Sequence, residues 1–210
     1  MKTRAEKAAR PVFVGIVGGS GSGKTWLAQR LQARLGRMAA RLSLDDFYKD
    51  RSHLSPQRRA KLNFDHPAAI DWKAFHEALG NLFHRRRTPV PSYDFRTHAR
   101  TAHFKIVNPK AIVLVDGLWL LRRPAIRRFL DLRIFLECAA PVRLRRRLKR
   151  DLASRGRTRA SVLNQFKKIV EPMHRRYVAP QIHWADIVVK GNCGRGQARL
   201  LAESIRRLKD

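Results

Sequence analysis

The sequence predicts an α/β fold, a parallel sheet flanked by helices on both faces, and three observations lead to it. Apolar, β-branched segments alternate with helical patterns along most of the chain, as in strands joined by crossover helices. Residues 111–117 form a continuous apolar run ending in Asp-Gly, which is typical of a strand buried on both faces. A glycine-rich segment, 18–25, joins the apolar run 12–17 to the helical pattern 26–35.

The segment 18–25 has the residue types of a phosphate-binding loop. Its two framing glycines are separated by four residues and followed by lysine and threonine, the pattern expected of a nucleotide site. Glycines let successive N–H groups point at one anion, beside the positive end of the next helix. The predicted ATP-binding residues are Gly18, Gly19, Ser20, Gly21, Ser22, Gly23, Lys24 and Thr25. A plain glycine turn between a strand and a helix is the alternative.

Length and composition predict one globular domain. The chain has 210 residues, of which 44% are hydrophobic, enough for a sizeable core, so residues 1–210 are expected to form a single domain. No apolar stretch could span a bilayer and no signal peptide is recognised, so no membrane partner is expected. Cys138 and Cys193 lack metal-ligand spacing. Free thiols in a cytoplasmic protein are the simplest interpretation.

The charge balance is strongly basic, with 46 Lys and Arg against 16 Asp and Glu, a formal net charge of +30. Such an excess can bind nucleic acid through counterion release. Alternatively, some arginines bind small phosphorylated ligands and the others form a solvated surface. The basic residues are spread along the chain, with short clusters at 85–87 and 145–147. Nucleic-acid binding, if present, is therefore expected to be weak and non-specific.

Carboxylates follow two of the predicted strands. A strand over 41–44 ends in Asp45 and Asp46, at the edge where open α/β sheets bind ligands. The strand 111–117 carries Asp116, which is predicted to hold Mg²⁺ together with Thr25. The alternative interpretation makes these aspartates helix caps or turn residues.

The other segments complete the α/β pattern. The polar segment 47–66 is expected to be irregular, and Pro67 to open a helix that continues through residue 83. Prolines between extended aromatic and β-branched residues predict a β-hairpin insertion over 88–108. The later elements are predicted as strand 132–137, helix 142–152, helix 159–170 interrupted by Pro172, strand 185–190 and helix 197–208. Arg143, Arg145 and Arg146 are expected on a solvated helix face.

Four further stretches, together with the phosphate loop, resemble the uridine kinase (uridine–cytidine kinase) family of nucleoside kinases. They are Leu-Asp-Asp-Phe-Tyr at 44–48, Asn-Phe-Asp-His-Pro at 63–67, Pro-Ser-Tyr-Asp-Phe-Arg-Thr-His-Ala-Arg at 91–100 and Arg-Leu-Lys-Arg-Asp-Leu-Ala-Ser-Arg-Gly-Arg at 147–157. Gln165, Pro172 and 185–189 continue the similarity over nearly the whole chain. The resemblance implies a P-loop NTPase fold with a five-stranded core, a hairpin over the nucleoside and a mobile helical lid at 150–160.

The resemblance also implies roles for individual residues. Asp45 matches the catalytic aspartate that accepts or orients the proton of the ribose 5′-hydroxyl. Arg150 and Arg155 match lid arginines that, with Lys24, neutralise the transferring phosphoryl group. The implied substrate-binding residues are Phe64, Asp65, Tyr93, Phe95, His98, Arg147, Arg157 and Gln165. For Tyr93, Phe95 and His98, simple packing or exposure on the hairpin is the alternative.

Three residues depart from the family pattern. Asp116 stands where the family usually has Glu, and Glu171 where many relatives carry Lys. Asp46 replaces a small polar residue, and its charge beside Asp45 is expected to raise the pKa of one of the two carboxyls.

The sequence therefore predicts an ATP- and Mg²⁺-dependent kinase for the 5′-hydroxyl of uridine and cytidine. GTP is an alternative phosphate donor, and the resemblance also suggests a homo-oligomer. A related kinase for nicotinamide riboside, pantothenate or a sugar phosphate is the nearest alternative function. A nucleic-acid-binding protein with a relic phosphate loop is the alternative from another class.

Overall fold

The computed structural model of the chain describes residues 10–60, 62–191 and 193–209. Its strands are β1 (Val12–Gly18), β2 (Ala39–Ser43), β3 (Thr88–Asp94), β4 (Ala99–Val107), β5 (Ile112–Gly117), β6 (Leu132–Glu137) and β7 (Ile187–Lys190). Five of them form a sheet in the order β2-β5-β1-β6-β7, and every pair in it is parallel. The predicted parallel sheet is confirmed.

Helices cover this sheet and connect its strands. The α-helices are α1 (Lys24–Leu35), α2 (Pro56–Ala60), α3 (Trp72–Phe83), α4 (Pro124–Arg127), α5 (Ala140–Ser154), α6 (Arg159–Gln165), α7 (Glu171–Met173) and α8 (Arg195–Arg207). Short 3₁₀ turns occur at Gly36–Met38, Leu44–Phe47, Pro67–Ala69, Leu120–Arg122 and Ala179–Trp184, and π-helical turns at Phe166–Val170 and His174–Val178. No helix in the described part of the chain is long and apolar enough to cross a membrane.

The two faces of the sheet carry separate hydrophobic layers, because successive side chains of a strand point to opposite faces. Val113 of β5 packs in one layer with residues of α3 such as Phe75. Its neighbour Leu114 packs in the other layer, with Leu31 of α1 and Ile205 of α8. All five of these residues are fully buried. The sheet is therefore covered on both faces, as predicted.

The predicted start of α3 is wrong. The helix begins at Trp72 rather than Pro67, and the side chain of Asp71 caps it by accepting a hydrogen bond of 3.1 Å from the Ala74 N–H. Pro67 begins a separate 3₁₀ turn. Aspartate and proline both favour helix starts, and here each residue opens its own element. The segment expected to be irregular before Pro67 also contains the short helix α2.

Pro172 does not interrupt the helical region after α6, so that prediction is also wrong. Helical turns continue from α6 to Trp184, and Pro172 occupies the first turn of α7 between the two π-helical turns. Proline lacks an N–H and cannot donate in a regular α-helix. π-helical turns lie on both sides of α7, and the backbone stays helical through Pro172.

The antiparallel pair β3–β4 is the predicted hairpin. Val90 and Tyr93 of β3 are buried against the layer that also contains Phe47, and Lys105 of β4 forms an ion pair with Asp46 at 3.3 Å. The hairpin is thereby fixed beside the turn Leu44–Phe47, which directly follows β2.

Candidate active site

The phosphate loop curls between β1 and α1 at the carboxyl end of the sheet. Gly21 and Gly23 have φ angles of +81° and +100°, a region that glycine adopts without strain. A Cβ atom at Gly21 would lie 2.5 Å from the backbone oxygen of Arg143, so no larger residue fits. No side chain caps α1, whose N-cap is Gly23. The first-turn N–H groups of α1 are thus directed at an anion site.

A carboxylate, a hydroxyl and a guanidinium meet at the end of β5. Asp116 is fully buried; it accepts hydrogen bonds from Thr25 Oγ1 at 3.2 Å and from Arg41 Nε at 2.8 Å. No group of three or more His, Cys, Asp or Glu lies together as a metal site among the described residues. Mg²⁺ in nucleotide sites needs only one or two protein oxygens beside phosphates and water. Thr25 and Asp116 therefore fit Mg²⁺ in both position and donor type.

Lys24 and Asp45 line the same space at the carboxyl end of the sheet. Lys24 is buried, and burial lowers the pKa of its ammonium group while the charges of Asp45 and Asp116 partly oppose the shift. Asp45 lies in the turn after β2, and its Oδ1 has no hydrogen-bond partner among the described residues. Asp45 therefore does not act as a helix cap, and its carboxylate is available to a ligand.

One cavity of about 470 Å³ extends from the phosphate loop to the hairpin. It is lined by Ser20, Lys24, Asp45, Tyr48, Leu62, Phe64, Asp65, Phe95, Arg96, His98, Leu118, Arg147, Arg150, Arg155, Gly156, Arg157, Thr158, Ser161 and Gln165. An adjoining cavity of about 420 Å³ contains Thr25 and shares Lys24 and Asp45 with the first. Residues of the glycine-rich loop and aromatic residues thus line one continuous space.

His98 forms the hairpin side of this cavity. Its ring stacks on Phe64 with a centroid distance of 4.3 Å and an interplanar angle of 7°. Burial, and then the charges of Arg155 and Arg157, lower the pKa of His98, so the ring is neutral at pH 7. Its Nδ1 has no hydrogen-bond partner among the described residues. A neutral imidazole can donate from one nitrogen and accept at the other.

Three arginines of the cavity converge on one buried carboxylate. Asp151 forms ion pairs with Arg147 at 3.2 Å, Arg150 at 2.7 Å and Arg155 at 3.5 Å. Burial alone would raise the pKa of Asp151, but these three cations hold it below its usual value. Asp151 therefore orients the arginines towards the cavity. The sequence-based prediction missed it, although its spacing of four residues from Arg147 and Arg155 was a usable signal.

Arg147 and Arg157 also contact other polar residues of the same cavity. Arg147 donates to Ser20 Oγ at 2.9 Å and lies 3.5 Å from Asp65 Oδ1. Both arginines donate to the side-chain oxygen of Gln165. Four predicted substrate residues are thus joined in one polar network.

Some predicted residues lie beside the cavities rather than on their walls. Tyr93 is buried, and its ring centroid lies 5.0 Å from that of Tyr48 and 5.1 Å from that of Phe95. It therefore packs against the Phe95 ring but does not itself line either cavity. Gly18, Gly19, Ser22 and Asp116 are likewise absent from both linings. Tyr48 does line the larger cavity, and its hydroxyl donates to the Phe64 carbonyl at 3.1 Å. Tyr48 ends the Leu-Asp-Asp-Phe-Tyr stretch, but the sequence did not predict it as a site residue.

The prediction of a solvated arginine face on α5 is only partly correct. Arg145 is exposed, but Arg143 is fully buried and pairs with Glu171 at 2.6 Å. Arg146 is half-buried and donates to the backbone oxygens of Gly21 and Ser22 at 3.3 and 3.0 Å. The prediction was wrong for these two because α5 packs directly against the phosphate loop.

The carboxyl of Asp46 has a raised pKa. Burial is the main cause, and the Asp45 charge adds to it, whereas Lys105 acts in the opposite direction. The neighbouring charge that the sequence singled out is therefore a secondary contribution.

Comparison with known proteins agrees with this geometry. The phosphoribulokinase / uridine kinase family matches residues 13–194. The chain belongs to this family. A uridine kinase from Clostridium perfringens is 42% identical over 181 residues, covering 86% of this chain and 87% of that protein. Another, from Clostridium botulinum, is 37% identical over 201 residues and covers 95% and 98% of the two chains.

Solved structures show the same fold at lower identity. Phosphoribulokinase from Rhodobacter spheroides superposes with a TM-score of 0.65 at 17% identity, over 91% of this chain and 74% of that one. D-glycerate 3-kinase from Cryptococcus neoformans gives 0.62 at 16% identity, over 86% and 85%. The predicted P-loop kinase fold is confirmed, and family membership makes the chain a phosphotransferase acting on a hydroxyl group.

Proposed function

We propose that the chain transfers the γ-phosphoryl group of ATP to the 5′-hydroxyl of uridine and cytidine, a step of pyrimidine salvage. The observation that carries this proposal is the single cavity in which Lys24 and Asp45 face Phe95 and His98. A phosphate donor and an aromatic base fit at opposite ends of such a space, with the ribose between them. The relatives that are named uridine kinases support the same substrate.

Phosphoryl transfer depends more on positioning and charge neutralisation than on covalent chemistry. We assign the phosphates of ATP to the loop amides and Lys24, and the developing charge to Arg150 and Arg155. Asp45 accepts or orients the proton of the attacking hydroxyl, for which a carboxylate suffices because the transition state is loose. Thr25 and Asp116 would hold Mg²⁺, which neutralises phosphate charge when bound.

The nucleoside is assigned to the hairpin side of the cavity. Phe95 offers a ring face to the base, a contact that tolerates different bases. Neutral His98 can donate to the 4-carbonyl of uracil or accept from the 4-amino group of cytosine. Asp65, held near Arg147, provides acceptors for the ribose hydroxyls. The proposal also includes GTP as an alternative phosphate donor and a homo-oligomeric assembly.

A substrate panel tests the proposal directly. The purified chain is incubated with Mg-ATP or Mg-GTP and uridine, cytidine, adenosine, nicotinamide riboside, pantothenate or a sugar phosphate, and products are followed by chromatography. We expect the highest kcat/KM for uridine and cytidine. A higher kcat/KM for nicotinamide riboside, pantothenate or the sugar phosphate would overturn the nucleoside assignment.

The role of Asp45 is tested against its neighbour. Asp45→Asn keeps the size but removes the charge, and we expect kcat to fall by about 10²- to 10⁴-fold with little change in ATP affinity. Asp46→Asn is the matched control, since Asp46 pairs with Lys105 instead, and its kcat should change by less than about fivefold. Equal losses in the two variants would contradict the assignment.

A further inference from the structure

A second cavity lies outside the candidate active site. We call it the tryptophan groove; it has a volume of about 360 Å³ and is lined by Pro67, Trp72, Arg122, Arg123 and Trp184. It shares no lining residue with the 470 Å³ cavity. Its volume is within the range of small-ligand sites, which begins at about 300 Å³. The groove can therefore accept a planar ring with an attached charged group.

The two indole rings of the groove are held in place. Trp72 Nε1 donates to the Pro67 carbonyl at 2.8 Å, and the ring packs edge-on against Phe75. Both tryptophans are half-buried, and both line the groove. A fixed indole face is a good stacking platform, because little side-chain entropy is lost when a ring binds.

Arginines accompany both tryptophans. The guanidinium carbon of Arg123 lies 4.4 Å from the ring centroid of Trp72, and that of Arg127 lies 4.4 Å from the centroid of Trp184. Guanidinium planes stack on aromatic rings and on nucleobases, and they also donate to phosphates. Each tryptophan is therefore part of a flat, cationic surface.

The charge of the groove is unbalanced. None of its described lining residues is acidic, and Arg122 and Arg123 are exposed without an ion pair among the described residues. Burial and the nearby Arg122 charge lower the pKa of Arg123. Arg122 and Arg176 both lie over the Tyr177 ring, at 4.7 and 5.2 Å. The positive surface thus extends beyond the groove itself.

We propose that the tryptophan groove binds single-stranded nucleic acid without sequence preference, by stacking bases on the arginine–indole pairs and contacting phosphates through the exposed arginines. Sites of this kind combine a basic groove with aromatic platforms. A duplex hides its base faces, so it cannot use the indoles. A second copy of the chain packed on this groove about a twofold axis would place Arg122 and Arg123 against the same two arginines of its partner. A single nucleotide would leave the arginines beyond the groove without a phosphate.

The charge contribution is tested with two matched double variants. Arg122→Gln/Arg123→Gln removes two adjacent exposed arginines at the groove, and Arg86→Gln/Arg87→Gln removes two at the turn before β3. Binding of a fluorescent twelve-nucleotide oligodeoxythymidine is followed by anisotropy over a series of salt concentrations. We expect the groove variant to lose about tenfold or more in affinity and to have a shallower salt dependence. The control should lose less than about threefold.

The stacking contribution is tested with tryptophan variants. Trp184→Leu removes a groove indole, and Trp26→Leu removes a half-buried indole of α1 that is paired with Arg30 at 5.6 Å. Loss of one stacked base corresponds to about a five- to hundredfold lower affinity, which we expect for Trp184→Leu alone. Circular dichroism and uridine phosphorylation should be unchanged in the arginine variants, so the test does not depend on the folding of Trp184→Leu.

Several results would overturn the proposal. Equal losses in the groove and control pairs would assign the binding to the surface at large. Equal affinity for a duplex of the same length would exclude base stacking. Displacement of the strand by saturating Mg-ATP would place it in the active site. Competition by uridine monophosphate at the concentration of the strand would indicate a mononucleotide site, and equal competition by polyglutamate would indicate an acidic protein.

Discussion

Asp151 is a fully buried carboxylate, and it shows how one residue can organise a cationic site. Without it, Arg147, Arg150 and Arg155 would repel one another around the cavity. With it, their guanidinium groups are held between 2.7 and 3.5 Å from a single side chain. We therefore propose that Asp151 lets the cavity concentrate positive charge for a phosphoryl group while the protein stays folded without a ligand.

Removing that charge should destabilise the protein. Asp151→Asn leaves three cations without their shared partner, and we expect a loss of about 1–3 kcal/mol in the free energy of unfolding, measured in urea. Because the pKa of Asp151 is lowered in the folded state, its contribution is complete above the unfolded value and is lost as the pH falls through the folded pKa. The difference between variant and wild type should therefore shrink below about pH 4.

The control for this measurement is an exposed pair of the same spacing. Glu203 lies 3.8 Å from Arg199 on α8, and both are largely exposed. Glu203→Gln should change stability by less than about 0.5 kcal/mol, because solvent screens such pairs. A change for Asp151→Asn as small as this control would contradict the organising role of Asp151.

Arg41 forms an ion pair with Asp116, the carboxylate that we propose holds Mg²⁺. Its guanidinium occupies Asp116 Oδ1 at 2.8 Å, close to where the phosphates of ATP are assigned. We expect Arg41→Met to weaken ATP binding in the presence of EDTA by about tenfold, the size of one charge-assisted hydrogen bond. With excess Mg²⁺ the loss should be smaller, because Asp116 then becomes free to hold the metal ion.

Isothermal titration calorimetry with and without Mg²⁺ measures both affinities. Arg37→Met, at an exposed arginine of the turn before β2, controls for the change in net charge. If Arg41→Met weakens ATP binding equally under both conditions, Arg41 does not act through the metal-site carboxylate.

At the scale of elements, α5 and the helical region after α6 pack against the phosphate loop. Arg143 donates to the Cys138 carbonyl at 2.9 Å and pairs with Glu171. A Cβ atom at Gly19 would lie 2.7 Å from His174 Nδ1, so the imidazole packs directly on the loop backbone. The conformation of the loop therefore depends on residues more than a hundred positions away.

This contact makes stability depend on pH. Burial, and then the Arg143 charge, lower the pKa of His174 from 6.5 to about 4, against the opposite effect of Glu171; Arg175 lowers it further. Between these two values the unfolded chain binds the proton more readily, so the folded state loses stability as the pH falls from about 6.5 towards 4. His174→Gln removes the titration, and its stability should vary less over this range.

Urea unfolding at pH 7.5 and pH 5 measures the effect. His103→Gln, at an exposed histidine of β4, is the matched control and should follow the wild type. If wild type and His174→Gln lose equal stability between the two pH values, the imidazole is not held neutral against the loop.

Elements with local signals were predicted from the sequence, and contacts between distant segments were not. β5 was predicted from its continuous apolar run, because burial on both faces restricts a strand to apolar residues. The phosphate loop was predicted from its glycine pattern, because its backbone geometry restricts the residue types. The start of α3 was missed because Pro67 and Asp71 carry the same type of signal. Arg143 looked like any helix arginine, since its burial depends on packing against Gly21.

At the scale of the whole molecule, two hydrophobic layers lie on opposite faces of one sheet, and β5 contributes residues to both. Val113 belongs to one layer and Leu114 to the other, and both are fully buried. Because adjacent residues of one strand serve both layers, neither layer can lose its packing while the sheet stays intact. The single domain predicted from the sequence should therefore unfold as one unit.

Two neighbouring substitutions test this expectation. Leu114→Ala removes more buried volume and should cost about 2–5 kcal/mol, and Val113→Ala should cost less, about 1–3 kcal/mol. Both variants should keep a single unfolding transition in calorimetry, shifted to lower temperature by about 2–4 °C per kcal/mol. Leu200→Ala, at an exposed leucine of α8, should leave the transition nearly unchanged. A second transition in either core variant, with the wild-type transition still present, would mean that the two layers unfold independently and that the chain is not one cooperative domain.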